Sequence, residues 1–184
     1  MVVGDTLRVV GIGCEARSIR LRGLTPGNFR PFGQVLMEPA GAGGADIETG
    51  RFWADVLPIH HDAPTAGIIR YHPRPLVIQR MERHPGSGQT FVSLSPGGAL
   101  VAVAPDRDDE PDIVGLQFFL AGPGEGFRLA PGTWHASPFP LGRGSGRFLV
   151  IMKPGTIGEG TEWHRLRIPL GVEPGNSGVG TSGP

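Results

Sequence analysis

A chain of 184 residues, 39% hydrophobic and 18% charged, has the composition of a soluble globular protein of one domain. Its 17 basic and 17 acidic residues cancel, which argues against nucleic-acid binding and against attraction to an anionic membrane surface. The apolar runs are too short to span a membrane, the N-terminus shows no signal-peptide pattern, and Cys14, the single cysteine, has no partner for an internal disulfide. These features favour the cytoplasm.

The elements predicted along the chain are almost all strands. Residues 1–16 show no clear pattern and are expected to be a leader of uncertain order. Thr25 is suited to cap a short helical turn that begins at Pro26 and ends at Gly33. Alternating or apolar runs predict short strands at residues 17–23, 34–37, 52–56, 67–71, 76–83, 91–94, 99–104, 116–120, 126–129 and 148–153.

About ten short strands at regular spacing, with few helical windows, predict a single all-β sandwich or barrel. The domain is expected to span residues 17–170, without an internal repeat or a second domain. Residues 171–184 are rich in Gly, Ser and Pro and have little to bury, so they are expected to form a flexible tail.

The first polar stretch that indicates chemistry runs from Glu82 to Gln89. Glu82 and His84 are two residues apart, so on a strand both side chains face the same side. A tight turn at Pro85-Gly86 then returns the chain towards Gln89 on what is expected to be a neighbouring strand. These three groups can therefore converge on a metal ion or a substrate.

The second stretch ends in His135. A glycine-containing turn around Gly132 places this histidine, after Trp134, at the start of a strand. A histidine delivered in this way can join the group formed by Glu82, His84 and Gln89.

These two stretches resemble the motifs of the cupin superfamily. The first cupin motif has a His-x-His pair, a later Glu and a later Gly, and here these positions hold Glu82, His84, Gln89 and Gly97. The second motif has Gly, a Pro-x-Gly turn and His, and here Gly124, Gly132 and His135 match it, with Pro131 shifted by one position.

In this altered form the chain resembles the ureidoglycolate lyase family of the cupin superfamily, over residues 17–165. The resemblance is carried by Leu24-Thr25-Pro26, Phe29, Pro31-Phe32-Gly33, Glu82-Arg83-His84-Pro85, Gln89, Phe91 and Trp134-His135. The chain departs from the family pattern in two places. The family's Trp-His-His-Pro is here Trp134-His135-Ala136-Ser137-Pro138, and the segment after Met152 also differs.

The resemblance implies a cupin-type, jelly-roll-like β-barrel with a few short helical turns. It also implies a carbon–nitrogen lyase of allantoin degradation in purine metabolism, a small anionic substrate and a homodimer. Ureidoglycolate would be cleaved to glyoxylate and urea, which needs a base, an acid and a group that holds the carboxylate.

The resemblance also suggests roles for single residues. His84, Gln89 and His135 are expected to contact a divalent metal or the substrate directly, and Glu82 is either a fourth metal ligand or the general base. Arg70 and Lys153 are expected to hold the substrate carboxylate. Strand alternation turns Arg83 away from Glu82 and His84, which makes it the weakest of the cationic candidates. Trp134 is expected to be either a core aromatic or a wall of the pocket that contacts the substrate.

Two other functions remain open from the sequence. One is a cupin metalloenzyme of another class, an isomerase or a dioxygenase, in which Glu82, His84 and His135 would supply the two histidines and one carboxylate of an iron site. The other is a cupin that binds a small acid without turning it over.

Overall fold

The computed structural model describes residues 1–11, 15–38, 45–54, 56–57, 59, 63–142 and 144–175. Cys14 and the last nine residues of the predicted tail, 176–184, lie outside the described residues. No helix in the described part of the chain is both long and apolar enough to cross a membrane.

The described residues form short β-strands almost throughout. In chain order, β1 to β17 are Thr6–Gly11, Arg17–Gly23, Gly33–Leu36, Ala45–Ile47, Gly50–Phe52, Thr65–Tyr71, Val77–Arg83, Gln89–Ser93, Ala99–Ala104, Asp106–Arg107, Glu110–Pro111, Gln117–Ala121, Gly126–Leu129, Trp134–His135, Phe139–Pro140, Gly146–Met152 and Glu162–Pro174. The helical elements are α1 (Pro26–Phe29) and a 3-10 turn at Ile113–Gly115.

Seven of the described strands close into a barrel. Their order is β12-β2-β1-β17-β7-β14-β9, and β9 also pairs with β12, which completes the ring. Alternate residues of these strands fill the interior with apolar side chains, among them Leu7, Met81, Phe118 and Trp134. The prediction of an all-β, cupin-type barrel with few helical turns is confirmed.

A second sheet, with strand order β3-β13-β8-β16-β6, packs against one side of this barrel. β9 is the wall that the two layers share, and all six of its residues are buried. Leu100, Ala102 and Ala104 face the barrel interior, whereas Ala99, Val101 and Val103 face the second sheet. The layer between barrel and sheet also holds Phe91, Phe127 and Phe148, and it is in this layer that the polar residues discussed below lie.

The predicted helical turn forms and begins at Pro26 as expected, but it ends at Phe29 rather than at Gly33. Thr25 Oγ1 accepts a hydrogen bond from the Asn28 backbone N–H at 3.2 Å, and Pro26 occupies the start of the helix. Gly33 begins β3, where an added Cβ would overlap the carbonyl oxygen of Arg128 on β13, so this close approach requires glycine. Phe29, from the same turn, is fully buried in the layer between barrel and sheet.

The predicted ends of the domain are wrong for residues 6–11 and 171–174. Residues 6–11, placed in the leader, form β1, and residues 171–174, placed in the tail, continue β17. β1 pairs with β17 from Leu7 opposite Pro174 to Gly11 opposite Leu170. Each segment is short and holds one charged residue and one glycine, and the two strands are stabilised by pairing with each other.

The other strand predictions are largely confirmed. Strands 17–23, 99–104 and 126–129 are observed with the predicted bounds, and most of the rest differ by one or two residues. The strand predicted at 52–56 is wrong, because β5 ends at Phe52 and residues 53–54 are not in a strand.

The core position of β1 is testable with two neighbouring substitutions. Leu7→Ala should lower the free energy of unfolding by about 2–5 kcal/mol, because it leaves a cavity in the barrel interior where Leu7 is 0% exposed. The control, Arg8→Ala, should change it by less than about 1 kcal/mol, since the Arg8 side chain is 57% exposed and its ion pair with Glu173 spans 4.0 Å at the surface. Urea denaturation of both variants measures the difference. Equal stabilities would show that β1 is not part of the folded barrel.

Candidate active site

The predicted polar residues meet in the layer between the barrel and the second sheet. On β14, Trp134 fills the barrel interior, so its neighbour His135 faces the opposite way. His135 lies opposite Val103 on one side and opposite Glu82 on the other, and Val103 faces the second sheet. Because directly opposed residues share a face, Glu82 and His135 both point into the layer.

Glu82, His84 and His135 form a compact group, which we call the polar cluster. One potential ligand atom from each residue lies within 4.8 Å of the others. The two imidazole rings have their centroids 5.4 Å apart, and His135 Nε2 lies 3.7 Å from Glu82 Oε1, which is too long for a hydrogen bond. Both histidines are buried, and the Glu82 side chain is only 14% exposed.

Hydrogen bonds at the back of each ring determine the tautomer of both histidines. His135 Nδ1 lies 2.9 Å from the carbonyl oxygen of Thr133. A carbonyl oxygen can only accept, so Nδ1 carries the proton and Nε2 carries the lone pair.

The hydroxyl of Thr161 has the corresponding role for His84. Thr161 Oγ1 donates its own hydrogen to the carbonyl oxygen of Thr156 at 2.9 Å. Thr161 Oγ1 therefore accepts a hydrogen bond from His84 Nδ1 at 3.3 Å. Nδ1 of His84 is thus protonated, and Nε2 is free to bind a ligand. Such outer partners are typical of metal-binding histidines.

Three buried polar atoms at this place have no hydrogen-bond partner within the described residues: His84 Nε2, His135 Nε2 and Gln89 Oε1. Gln89 comes from β8 of the second sheet and lies two residues from Phe91, which faces the layer. Its side chain is close enough to His84 to influence the pKa of that histidine. Buried polar atoms are rarely left without partners, so their convergence indicates a place for a bound ligand.

Burial determines the charge of the polar cluster. It lowers the pKa of His135 to about 4 and also lowers the pKa of His84, so both rings are neutral near pH 7. Burial raises the pKa of Glu82, although the hydrogen bond from Ser137 and the charge of Arg80 oppose this shift. Two neutral imidazole nitrogens and a carboxylate oxygen form a donor set that fits a divalent transition-metal ion or zinc.

A pocket of about 550 Å³ opens next to the polar cluster. Ser137 lines this pocket, and its hydroxyl donates to Glu82 Oε1 at 3.3 Å, which connects the pocket to the cluster. The polar lining residues are Arg70, Tyr71, His72, Arg74, Gln79, Arg80 and Ser137. Its cationic side chains make it suited to an anion.

Two predicted substrate-binding residues lie elsewhere. Trp134 is buried in the barrel interior, on the opposite face of β14 from His135. Lys153 lines a separate pocket of about 100 Å³ with Ser87 and Thr156. Of the predicted residues, the structure therefore brings together Glu82, His84, Gln89 and His135, and it places Arg70 on the adjoining pocket.

Arg83 points away from the polar cluster, as strand alternation predicts. Its guanidinium binds the carboxylates of Glu162, Asp106 and Asp109 and lies over the Trp134 ring at 4.6 Å from the ring centroid. It is therefore already paired on the other face of β7.

Several residues that neighbour the polar cluster were not identified from the sequence. Thr161 and Ser137 are distant from Glu82 and His84 along the chain, and no local pattern points to them. Arg80 was identifiable, because it precedes Glu82 by two residues and the same alternation that removes Arg83 places Arg80 on the face of the cluster.

Comparisons with known proteins point to one family. Residues 16–173 match the family model described as ureidoglycolate lyase. "Ureidoglycolate lyase 2" of Rhizobium meliloti is 34% identical over 161 residues, which are 83% of this chain and 96% of that protein. The ureidoglycolate lyase of Rhodobacter capsulatus is 33% identical over 157 residues, or 82% and 94% of the two chains. That of a Chelativorans species is 31% identical over 147 residues, or 76% and 87%.

The buried state of His135 predicts a pH dependence of stability. Its pKa in the folded protein, about 4, lies below the ordinary value of 6.5, so between these pH values the unfolded chain binds a proton that the folded chain does not. The free energy of unfolding of the metal-free protein should therefore fall as the pH is lowered from 6.5 to 4. His135→Gln should show a shallower fall in urea denaturation at a series of pH values. The raised pKa of Glu82 acts with the opposite sign in both proteins, and equal slopes would contradict a neutral, buried His135.

The donor set predicts that the protein binds one divalent ion. Calorimetric titration with Zn²⁺ or Mn²⁺ should give a single site that His135→Gln removes. Thr161→Val should weaken binding by about 10–100-fold, because it removes the group that orients His84. His72→Ala is the control, since His72 is exposed and distinct from the cluster, and it should bind as the wild type does. Unchanged binding by His135→Gln would place the metal elsewhere.

Proposed function

Because this chain belongs to the ureidoglycolate lyase family, a family of lyases, we propose that it cleaves ureidoglycolate to glyoxylate and urea at the polar cluster. The observation that carries this placement is the convergence of three buried atoms beside the Glu82 carboxylate. His84 Nε2, His135 Nε2 and Gln89 Oε1 have no hydrogen-bond partner in the part of the chain that the structure describes. This group adjoins a cationic pocket that has room for a small acid.

The reaction breaks one carbon–nitrogen bond by elimination. Ureidoglycolate carries a hydroxyl, a carboxylate and a urea nitrogen on the same carbon. A base removes the hydroxyl proton, the oxygen electrons form the carbonyl of glyoxylate, and the bonding pair of the C–N bond leaves with the nitrogen. That nitrogen takes up a proton to give urea, so no oxidant or water is consumed.

Glu82 is the residue best placed to act as the base. Its carboxylate is mostly buried and has a raised pKa, which makes it a stronger base than an exposed glutamate. Ser137 donates a hydrogen bond to Oε1, which orients the carboxylate towards the pocket. The same glutamate, once protonated, can return the proton to the departing nitrogen.

His84 and His135 would hold a divalent metal ion through Nε2, with Gln89 Oε1 as a further ligand. Such an ion would polarise the substrate hydroxyl and lower its pKa. The fit rests on the unpartnered lone pairs and on the neutral state of both rings, which leaves no proton to displace. With two neutral imidazoles and one neutral amide, the site keeps net positive charge for an anionic substrate.

The remaining parts of the proposal concern the setting of the enzyme. We assign it to allantoin degradation in purine metabolism, in the cytoplasm, as a homodimer. Family membership supports the pathway. Among the described strands, the second sheet has β3 and β6 at its edges, and an unpaired edge is a site where a second copy can add.

The role of Glu82 is tested by Glu82→Gln. This variant keeps the volume of the side chain but removes the base, so urea release from ureidoglycolate should fall by about 100–10,000-fold. Circular dichroism should show an unchanged fold. Glu173→Gln, at an exposed position of β17, is the matched control and should keep wild-type turnover. Turnover by Glu82→Gln within a few fold of the wild type would remove Glu82 from the mechanism.

A further inference from the structure

We propose that Arg80 is the residue that binds the substrate carboxylate and thereby selects small 2-hydroxy acids over their neutral analogues. This inference rests on the proposed function in that it names the anion-binding residue of the same site. Arg80 lies on the face of the polar cluster and has no ion pair among the described residues, whereas Arg74 is bound by the protein.

Arg80 shares a face of the barrel with the polar cluster. On β7 it precedes Glu82 by two residues, so the two side chains point the same way. β17 pairs with this strand so that Trp163 lies opposite Glu82 and Arg165 lies opposite Arg80. Arg80 also lines the pocket of about 550 Å³ that Ser137 connects to Glu82.

The guanidinium of Arg80 is held in place but not neutralised. It lies over the exposed ring of Trp163, 4.0 Å from the ring centroid. Stacking of this kind fixes the plane of the guanidinium and leaves its N–H groups free for a planar acceptor. Among the described residues, Arg80 has neither an ion pair nor a side-chain hydrogen bond, so the charge is free for a ligand.

Arg74, the second arginine on the pocket, is engaged by the protein. Its guanidinium donates to the carbonyl oxygens of Ser137 at 2.5 Å and Pro138 at 3.0 Å, and it lies over the Phe139 ring at 4.2 Å from the ring centroid. It therefore orders the segment that carries Ser137, and its donors are not free to form a fork with a substrate carboxylate.

Arg70, favoured by the sequence, faces the wrong way for this role. Its neighbours Ile69 and Tyr71 pack into the layer between barrel and sheet, so alternation turns Arg70 to the outer face of β6. There it lies exposed, opposite Arg147 of β16, at the rim of the pocket. This leaves Arg80 as the pocket arginine that is both free and on the face of Glu82.

The spacing along β7 defines the ligand. Residues two apart on a strand are about 6.5–7 Å apart. Here Arg80 lines the pocket, and Glu82 adjoins it through its hydrogen bond with Ser137. A carboxylate held by Arg80 would thus present the hydroxyl of the adjoining carbon towards Glu82. The influence of Arg80 on the pKa of Glu82 agrees with this proximity. Acids with the hydroxyl on the next carbon fit this span, whereas an amide in place of the carboxylate loses the charge-assisted hydrogen bonds.

Equilibrium binding without turnover is the first test. Calorimetric titration of the holoprotein should show that glycolate binds more tightly than glycolamide, which differs only in having an amide in place of the carboxylate. Arg80→Ala should weaken glycolate binding by at least about 10-fold and leave glycolamide unchanged, because paired hydrogen bonds to a charged group are lost. The glycolate affinity of Arg80→Lys should lie between that of the wild type and that of Arg80→Ala. Arg165→Ala is the control, since Arg165 is an exposed arginine opposite Arg80 that does not line the pocket.

Steady-state kinetics with ureidoglycolate is the second test. Arg80→Ala should raise KM by at least about 10-fold with a smaller change in kcat, and Arg165→Ala should leave both unchanged. The inference would be overturned, with the proposed function intact, if Arg80→Ala kept the glycolate affinity or the KM of the wild type. It would also be overturned if the wild-type protein did not bind glycolate. If the wild type releases no urea but binds glycolate through Arg80, the proposed reaction fails and the anion site stands.

Discussion

Strand β14 contributes only Trp134 and His135, and yet the barrel and the polar cluster both depend on its pairing. It is hydrogen-bonded to β7 on one side and to β9 on the other, so without it the ring of seven described strands would be open. The alternation of side chains sends Trp134 into the barrel interior and His135 into the layer beside the second sheet. The same two residues therefore close the fold and place a histidine opposite Glu82.

The arrangement of Arg83 shows how this junction is stabilised from the face away from the polar cluster. The guanidinium joins β7 to Glu162 of β17 and to Asp106 of β10, and it stacks on Trp134. Trp134 Nε1 in turn donates to Asp106 at 3.0 Å. Arg83 lies between Glu82 and His84 in sequence, so this network restrains the strand that carries both. Preorganisation of this kind fixes a site at the level of a few tenths of an ångström, which loops rarely achieve.

The chemistry of the site follows from its dry surroundings. The layer that holds the polar cluster is otherwise lined by aromatic and aliphatic side chains, including the stacked pair Phe91 and Phe127 at 5.2 Å. Low polarity keeps the histidines neutral and raises the pKa of the glutamate, while hydrogen bonds from behind determine which nitrogen carries the lone pair. The adjoining pocket supplies positive charge, which the apolar layer around the polar cluster lacks. Arg80 is the arginine of this pocket whose guanidinium forms no ion pair within the described residues.

The sequence by itself determined the all-β class, most strand positions and the shared face of Glu82 and His84, because these depend on local alternation and on turns. It also indicated the family, because the blocks around Glu82 and Trp134 are contiguous in the chain. Only the tertiary structure decided that the cluster lies between the layers, that Thr161 and Thr133 set the tautomers, and that β1 and β17 complete the barrel. The alternation of side chains along a strand shows which residues share a face of the sheet, but it does not show which other strands or side chains pack against that face. Which arginine stays unpaired is likewise decided by partners from distant strands. Arg83 binds Glu162, 79 positions away, whereas Arg80 stacks on the ring of Trp163 and forms no ion pair within the described residues.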